Sequence, residues 1–174
     1  PIPGDPDSGA LRRAIIAAPG RTLVAGDLSQ IELRVNAGIS NEERILGLLR
    51  VGRDPYKDFA STLFGVAYEA VTKTQRQVGK VGVLSCGFGI GADRLQFMAR
   101  TQAKLPMTTE EARKVVDTFR RTYTGFQKYW WRCDEYIKRL ANPKHAGNLF
   151  FDPAQTAPIK LHANKIELPG HRYL

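Results

Sequence analysis

Cysteine is scarce in this chain: Cys86 and Cys133 are its 2 cysteines, and neither has a second cysteine or a histidine at ligand spacing. That excludes a disulfide framework and a zinc module, and both thiols read as reduced. Histidine is nearly as rare. His145, His162 and His171 are scattered through the C-terminal part with no metal-ligand spacing between them. Long apolar runs are missing too. The uncharged stretch at residues 81–92 is too short and too rich in glycine to span a membrane. No secretory signal is visible, so the expected location is cytoplasmic, without membrane association. Acid is in deficit, with 17 Asp plus Glu against 26 Lys plus Arg and a net charge of +9. Such a surplus points to a polyanionic partner, nucleic acid or nucleotide before membrane. The plain alternative is a basic soluble enzyme. Hydrophobic residues make up 43%, which argues against disorder and allows a core. The chain opens at Pro1 without a methionine and stops after "LPGHRYL", so it reads as a piece of a longer protein.

What is present has clear local organisation. "PIPGDPDSG" is loop by composition, and "ALRRAIIAAPG" is a short helix or strand closed by Pro19 and Gly20. "RTLVAGD" predicts a strand whose apolar residues 23–26 are buried. Ser29 and Glu32 have capping-box spacing, so a helix is expected from about Gln30 through Ala37. "SNEERILGLLR" is amphipathic and helical. Asp54 is placed as an N-cap with Pro55 in the first helical position. Residues 72–100 predict helix, a glycine-rich break, then helix. Thr108 and Glu111 form a second capping-box pattern. "GFQKYWWRCDEYIKRL" predicts an amphipathic helix closed by Asn142 and Pro143, and "IKLHA" and "KIELPGHRYL" predict short strands. The fold class expected is α+β, mainly helical.

Three constellations could carry chemistry. Asp27 stands at the end of the predicted strand, just before a helix start. A carboxylate there suits Mg²⁺, a hard cation that takes one or two protein carboxylates plus substrate phosphates. A turn or cap residue is the other reading. Arg76, Lys80, Leu84 and Phe88 recur every four residues and would share a helix face. The two cations occupy its N-terminal half, where the helix dipole favours anions, so an external triphosphate would be stabilised there. A solvated cationic face remains an equal alternative. Five glycines, Gly79, Gly82, Gly87, Gly89 and Gly91, fall within thirteen residues. "GFGIG" lacks the spacing of a dinucleotide loop, so the cluster reads as close helix packing and a hinge. The acids of "CDEY" and the aromatics of "KYWWR" fit a solvated face and partial burial better than a ligand set or a base-stacking platform.

Together "DLSQIELR" and "RQVGKVGVLSCGFG" resemble motifs A and B of the family A DNA polymerases, the bacterial DNA polymerase I type. "GRDPYKDFASTLFG" and "FRRTYTGFQKYWW" are similar to the same family in order and spacing. The resemblance implies the fingers and partial palm of a right-hand polymerase. Residues 1–40 would be partial palm with the motif A strand, 41–142 helical fingers with the motif B helix, and 143–174 β-hairpin material returning to the palm. It implies Mg²⁺ held by Asp27 and the backbone carbonyl of Leu28. Asp27 and Lys80 would be catalytic. Gln30, Glu32, Arg76, Lys80, Leu84 and Phe88 would bind the nucleotide, with Glu32 excluding a ribose 2′-hydroxyl. The implied activity is transfer of a nucleotide from dNTP to a primer 3′-hydroxyl by a DNA-directed DNA polymerase acting as a monomer on primer-template DNA.

Several positions depart from the family pattern. Leu84 stands where Phe or Tyr is usual, Phe88 lacks the hydroxyl that would tether Glu32, and Tyr56 replaces a phosphate-binding histidine. These departures resemble a phage-encoded member, which would act in host cytoplasm. Motif C, a His-Asp-Glu turn with the second metal-binding acid, does not occur in the sequence, so the piece by itself is expected to be inactive. A single-subunit RNA polymerase relative would lack Glu32. A non-catalytic nucleic-acid-binding module would not need Asp27 together with the Arg76 and Lys80 pair.

Overall fold

The computed structural model describes residues 14–140 and the strand segments 160–162, 165–168 and 172–173. Among the described residues, seven α-helices follow one another: α1 (Ile31–Ser40), α2 (Glu43–Arg50), α3 (Pro55–Phe64), α4 (Lys73–Cys86), α5 (Ala92–Thr101), α6 (Thr109–Thr122) and α7 (Thr124–Leu140). A 3₁₀ turn, Tyr68–Ala70, lies between α3 and α4. The two β-like runs near the C-terminus form three short strands, β1 (Lys160–His162), β2 (Lys165–Leu168) and β3 (Arg172–Tyr173). They pair antiparallel in the order β1-β2-β3, with Leu161 opposite Ile166 and Leu168 opposite Arg172. The mainly helical expectation holds, and the closure at Asn142 and Pro143 lies outside the described residues.

Local chemistry explains most helix starts. Asp54 caps α3 by accepting from the Tyr56 and Lys57 amides, with Pro55 in the first turn. Thr108 and Glu111 form the reciprocal box that opens α6, and Thr72 and Gln75 form another that opens α4. Glu42 serves two helices at once. Its carboxylate accepts from the Arg44 amide in α2 at 3.4 Å and from the Gly125 amide in α7 at 2.7 Å. Burial pushes the Glu42 carboxyl above its ordinary value, with the two amides and Arg44 pulling the other way.

The core lies where α3, α4, α6 and α7 meet. Phe59, Phe119, Tyr123 and Phe126 are fully buried there. Phe119 meets Tyr123 edge-on at 5.2 Å and stacks with Phe126 at 5.3 Å between centroids. Two of the clustered glycines let α4 approach its neighbours. A Cβ on Gly79 would stand 3.1 Å from the Ala60 side chain of α3. One on Gly82 would stand 2.8 Å from Val115 of α6. Close packing is therefore what these two positions do.

Two expectations at the N-terminal side are corrected. Residues 21–28 form no strand; they are irregular, and Leu23 and Val24 are 56% and 93% exposed. A strand is held by ladder bonds to a neighbour, and none of the described strands pairs with these residues. The Ser29 and Glu32 capping box is also absent. The chain enters α1 through Gln30 in a left-handed conformation, φ 57°, and no side chain caps the helix. A capping box needs an extended N-cap whose side chain turns back on the first helical turn, and this entry places Ser29 one residue too early.

Candidate nucleotide-binding site

Helix α4 carries three of the predicted site residues. Its box is well formed: Thr72 Oγ1 accepts from the Gln75 amide at 3.2 Å and Gln75 Oε1 from the Thr72 amide at 2.9 Å. Arg76 follows directly, and it is not a bare cation. Its Nε donates to Asp54 Oδ2 at 2.5 Å, and its guanidinium carbon stands 5.7 Å from the centre of the Tyr56 ring. The sequence reading missed this pairing across 22 residues, because nothing local announces it. Lys80, one turn on, is exposed and has no acid partner among the described residues. Leu84 is half-buried on the same face.

The stripe does not continue as helix to its last member. Helix α4 ends at Cys86, and Phe88 lies in the turn beyond it, 67% exposed. Gly89, at φ +77°, reverses the chain there. The turn is tied to α1, since Asn36 Nδ2 donates to the Gly87 carbonyl at 3.0 Å. Asn36 follows Glu32 by one helical turn. The tie thereby brings the first turn of α1 over the end of α4.

Glu32, Leu84 and Phe88 line one groove of about 410 Å³, shared with Gln77, Val81, Ser85, Met98 and Gln102. The sequence reading named only the first three. Gln77, Val81 and Ser85 also recur every four residues, one position round from the cationic stripe, and that second periodicity is the signal available for them. Glu32 is exposed in the first turn of α1. Burial, then Asp54, raises the Tyr56 phenol above its ordinary value; Arg76 opposes this, and Glu32 adds a smaller push upward. Glu32 therefore lies within electrostatic reach of Tyr56. Cys86, the last residue of α4, is a buried packing residue. Burial pushes its thiol up to about 12, which leaves it unreactive near neutrality.

Asp27, Leu28 and Gln30 do not line the groove. Asp27 is exposed and has no ion pair or hydrogen bond among the described residues. The Leu28 carbonyl accepts from the Ile31 amide at 3.2 Å, which uses one of its two lone pairs. Both are oxygen donors of the kind a hard cation takes. Among the described residues no three acidic, histidine or cysteine side chains gather into a metal site. No helix among them is long and apolar enough to cross a membrane.

Comparison with known proteins identifies the family. The model of DNA polymerase family A matches residues 1–145. The chain is 38% identical over 119 residues to DNA polymerase I of Chloroflexus aurantiacus, covering 68% of this chain and 12% of that protein. It is 38% identical over 109 residues to the thermostable DNA polymerase I of Thermus aquaticus, covering 63% and 12%. With DNA polymerase I of Aquifex aeolicus the identity is 28% over 134 residues, covering 77% and 23%. The chain thus spans well under a third of the length of these relatives. The family match takes in both quoted motifs and every helix from α1 to α7, and on that ground the chain belongs to DNA polymerase family A.

Proposed function

We propose that this chain supplies the fingers and part of the palm of a template-directed DNA polymerase, and that α4 with the first turn of α1 receives the incoming dNTP. Residues 1–40 and 143–174 would belong to the palm and 41–142 to the fingers. One observation carries the reading: Glu32, Leu84 and Phe88 meet in a single groove on the helix that also bears Arg76 and Lys80. Arg76 and Lys80 hold the triphosphate. As the primer 3′-hydroxyl attacks the α-phosphate, they neutralise the charge that builds on the departing pyrophosphate. Leu84 meets the sugar and Phe88 the templating base, while Gln30 and Glu32 border the sugar and primer end. Glu32 excludes a 2′-hydroxyl by bulk, without a tether, because Phe88 has no hydroxyl. Asp27 and the Leu28 carbonyl would hold Mg²⁺, which supplies Lewis-acid charge neutralisation at the phosphates.

The test is dNTP titration of the 174-residue chain by calorimetry. Lys80→Ala should cost about 1.5–3 kcal/mol, the worth of a hydrogen bond to a charged group, or roughly ten- to hundredfold in Kd. An unchanged Kd in both Lys80→Ala and Arg76→Ala would overturn the assignment. The chain alone should not extend a primer, since it contains no His-Asp-Glu turn and a two-metal site needs a second acid.

A further inference from the structure

We propose that Asp54 is a positioning residue for the nucleotide's phosphates: its carboxylate fixes Arg76 by the Nε edge and leaves Nη1 and Nη2 for an arriving triphosphate. This rests on the reading of Arg76 as a triphosphate ligand.

The two oxygens of Asp54 have separate duties. Oδ1 accepts from the Tyr56 amide at 2.9 Å and the Lys57 amide at 3.4 Å, capping α3. Oδ2 takes Arg76 Nε. The Asp54 amide is itself held by the Tyr68 hydroxyl at 3.1 Å, so the carboxylate is fixed on three sides. Beneath the guanidinium, the Tyr56 ring is a rigid platform, 3% exposed. Gly79 allows the close approach of α3 and α4 that puts Asp54 within reach. Arg76 Nη1 and Nη2 have no partner among the described residues. A carboxylate competing with phosphate for the guanidinium would take the two-pronged grip that arginine offers to planar anions. Asp54 instead takes the single inner nitrogen. An arginine already held in one conformation loses less freedom when the anion binds.

The proposal predicts a sign opposite to simple electrostatics. Removing an acid near an anion site ordinarily strengthens anion binding. Here it should weaken it. In Asp54→Asn the one amide oxygen keeps the α3 cap, at which asparagine is as good as aspartate, and the amide nitrogen can no longer accept from Arg76. Asp54→Ser is the second variant, since serine also caps and is too short to reach Arg76.

The experiment titrates inorganic tripolyphosphate into the 174-residue chain at fixed ionic strength. It compares wild type, Asp54→Asn, Asp54→Ser, Arg76→Ala and the Asp54→Asn/Arg76→Ala double variant. Expected is a Kd raised about three- to tenfold in both Asp54 variants, as for loss of one charge-assisted contact's alignment, with Tm nearly unchanged. On the Arg76→Ala background the Asp54→Asn change should add nothing. If Arg76→Ala binds tripolyphosphate like wild type, the triphosphate reading of Arg76 fails. If Arg76→Ala weakens binding but the Asp54 variants bind equally well or more tightly, only the positioning role fails and Asp54 is a cap. A loss in Asp54→Asn that persists undiminished on the Arg76→Ala background also overturns it.

Discussion

Residues 21–28, which end at the first two residues of the motif A stretch, and helix α4, which bears most of the motif B stretch, are made in contrasting ways. Helix α4 is capped by its own Thr72 and Gln75, pressed against α3 and α6 through Gly79 and Gly82, and tied to α1 at Gly87. Residues 21–28 have neither helix nor ladder, and Asp27 has no partner among the described residues. The difference teaches that the face proposed to grip the nucleotide is self-supporting, whereas the stretch proposed to hold the metal has no local scaffold among the described residues. Order comes cheaply where the stabilising groups lie within one turn. A strand needs neighbours supplied from elsewhere.

Disturbing the packed side of this comparison should have the largest effect. Gly79→Val places methyl groups against the Ala60 side chain and the α3 backbone. It should cost about 3 kcal/mol as overpacking, read as a lowered denaturation midpoint. Tripolyphosphate affinity should fall with it, because Asp54 and Arg76 move apart. A Gly79→Val chain of normal stability would mean that α3 and α4 are not in close contact.

Glu32→Ala addresses the junction of the two regions. It should narrow the preference for dATP over ATP by about 1–3 kcal/mol, measured as the ratio of the two Kd values. It should leave Tm nearly unchanged, since no capping box exists at Ser29 to lose. A large loss of stability with an intact preference would make Glu32 structural. Glu32→Gln, of nearly the same bulk, should retain most of the exclusion.

A smaller effect concerns pH. The Glu42 carboxyl is raised by burial above its ordinary 4.5, so the folded chain holds that proton more tightly than the unfolded chain. Its contribution to stability is greatest below 4.5 and is lost as pH rises through the raised folded value. Glu42→Gln should therefore flatten the pH dependence of stability just above the normal carboxylate range. It should hold or gain stability at neutral pH, since the amide oxygen still accepts from Gly125. A steeper loss at neutral pH would show that the charged carboxylate is the better cap. Smallest of all, Asp27→Ala should change stability by no more than about 0.5 kcal/mol, as expected of an exposed side chain without partners. A larger loss would show that residues 21–28 are more tightly built than they stand.

The same contrast explains what could be read from the sequence. The Asp54 cap, the Thr108 and Glu111 box and the helix–break–helix around Gly87 were legible because each signal lies within a few residues. The Thr72 and Gln75 box was equally local and was overlooked beside the cationic stripe. The Ser29 and Glu32 box was a false signal: spacing does not fix the backbone conformation at the entry, and Gln30 turned it aside. The Asp54 to Arg76 pair and the Asn36 to Gly87 tie were not legible at all. They depend on which helices pack together, and the glycines hint at that only in general terms. Of the groove, the sequence reading named Glu32, Leu84 and Phe88 but not Gln77, Val81 and Ser85 beside them.

The doubly used carboxylate of Glu42 also sets an order of events in folding. The bond to Gly125 joins residues 83 apart, while the bond to Arg44 is two residues long. Closing the long loop costs chain entropy before any contact rewards it, so the half of the clasp that serves α2 forms early and the half that serves α7 forms late. Loosening the late half should leave the refolding rate nearly untouched and speed unfolding. Glu42 would then act as a latch whose strength sets how long the folded chain lasts rather than how fast it is reached.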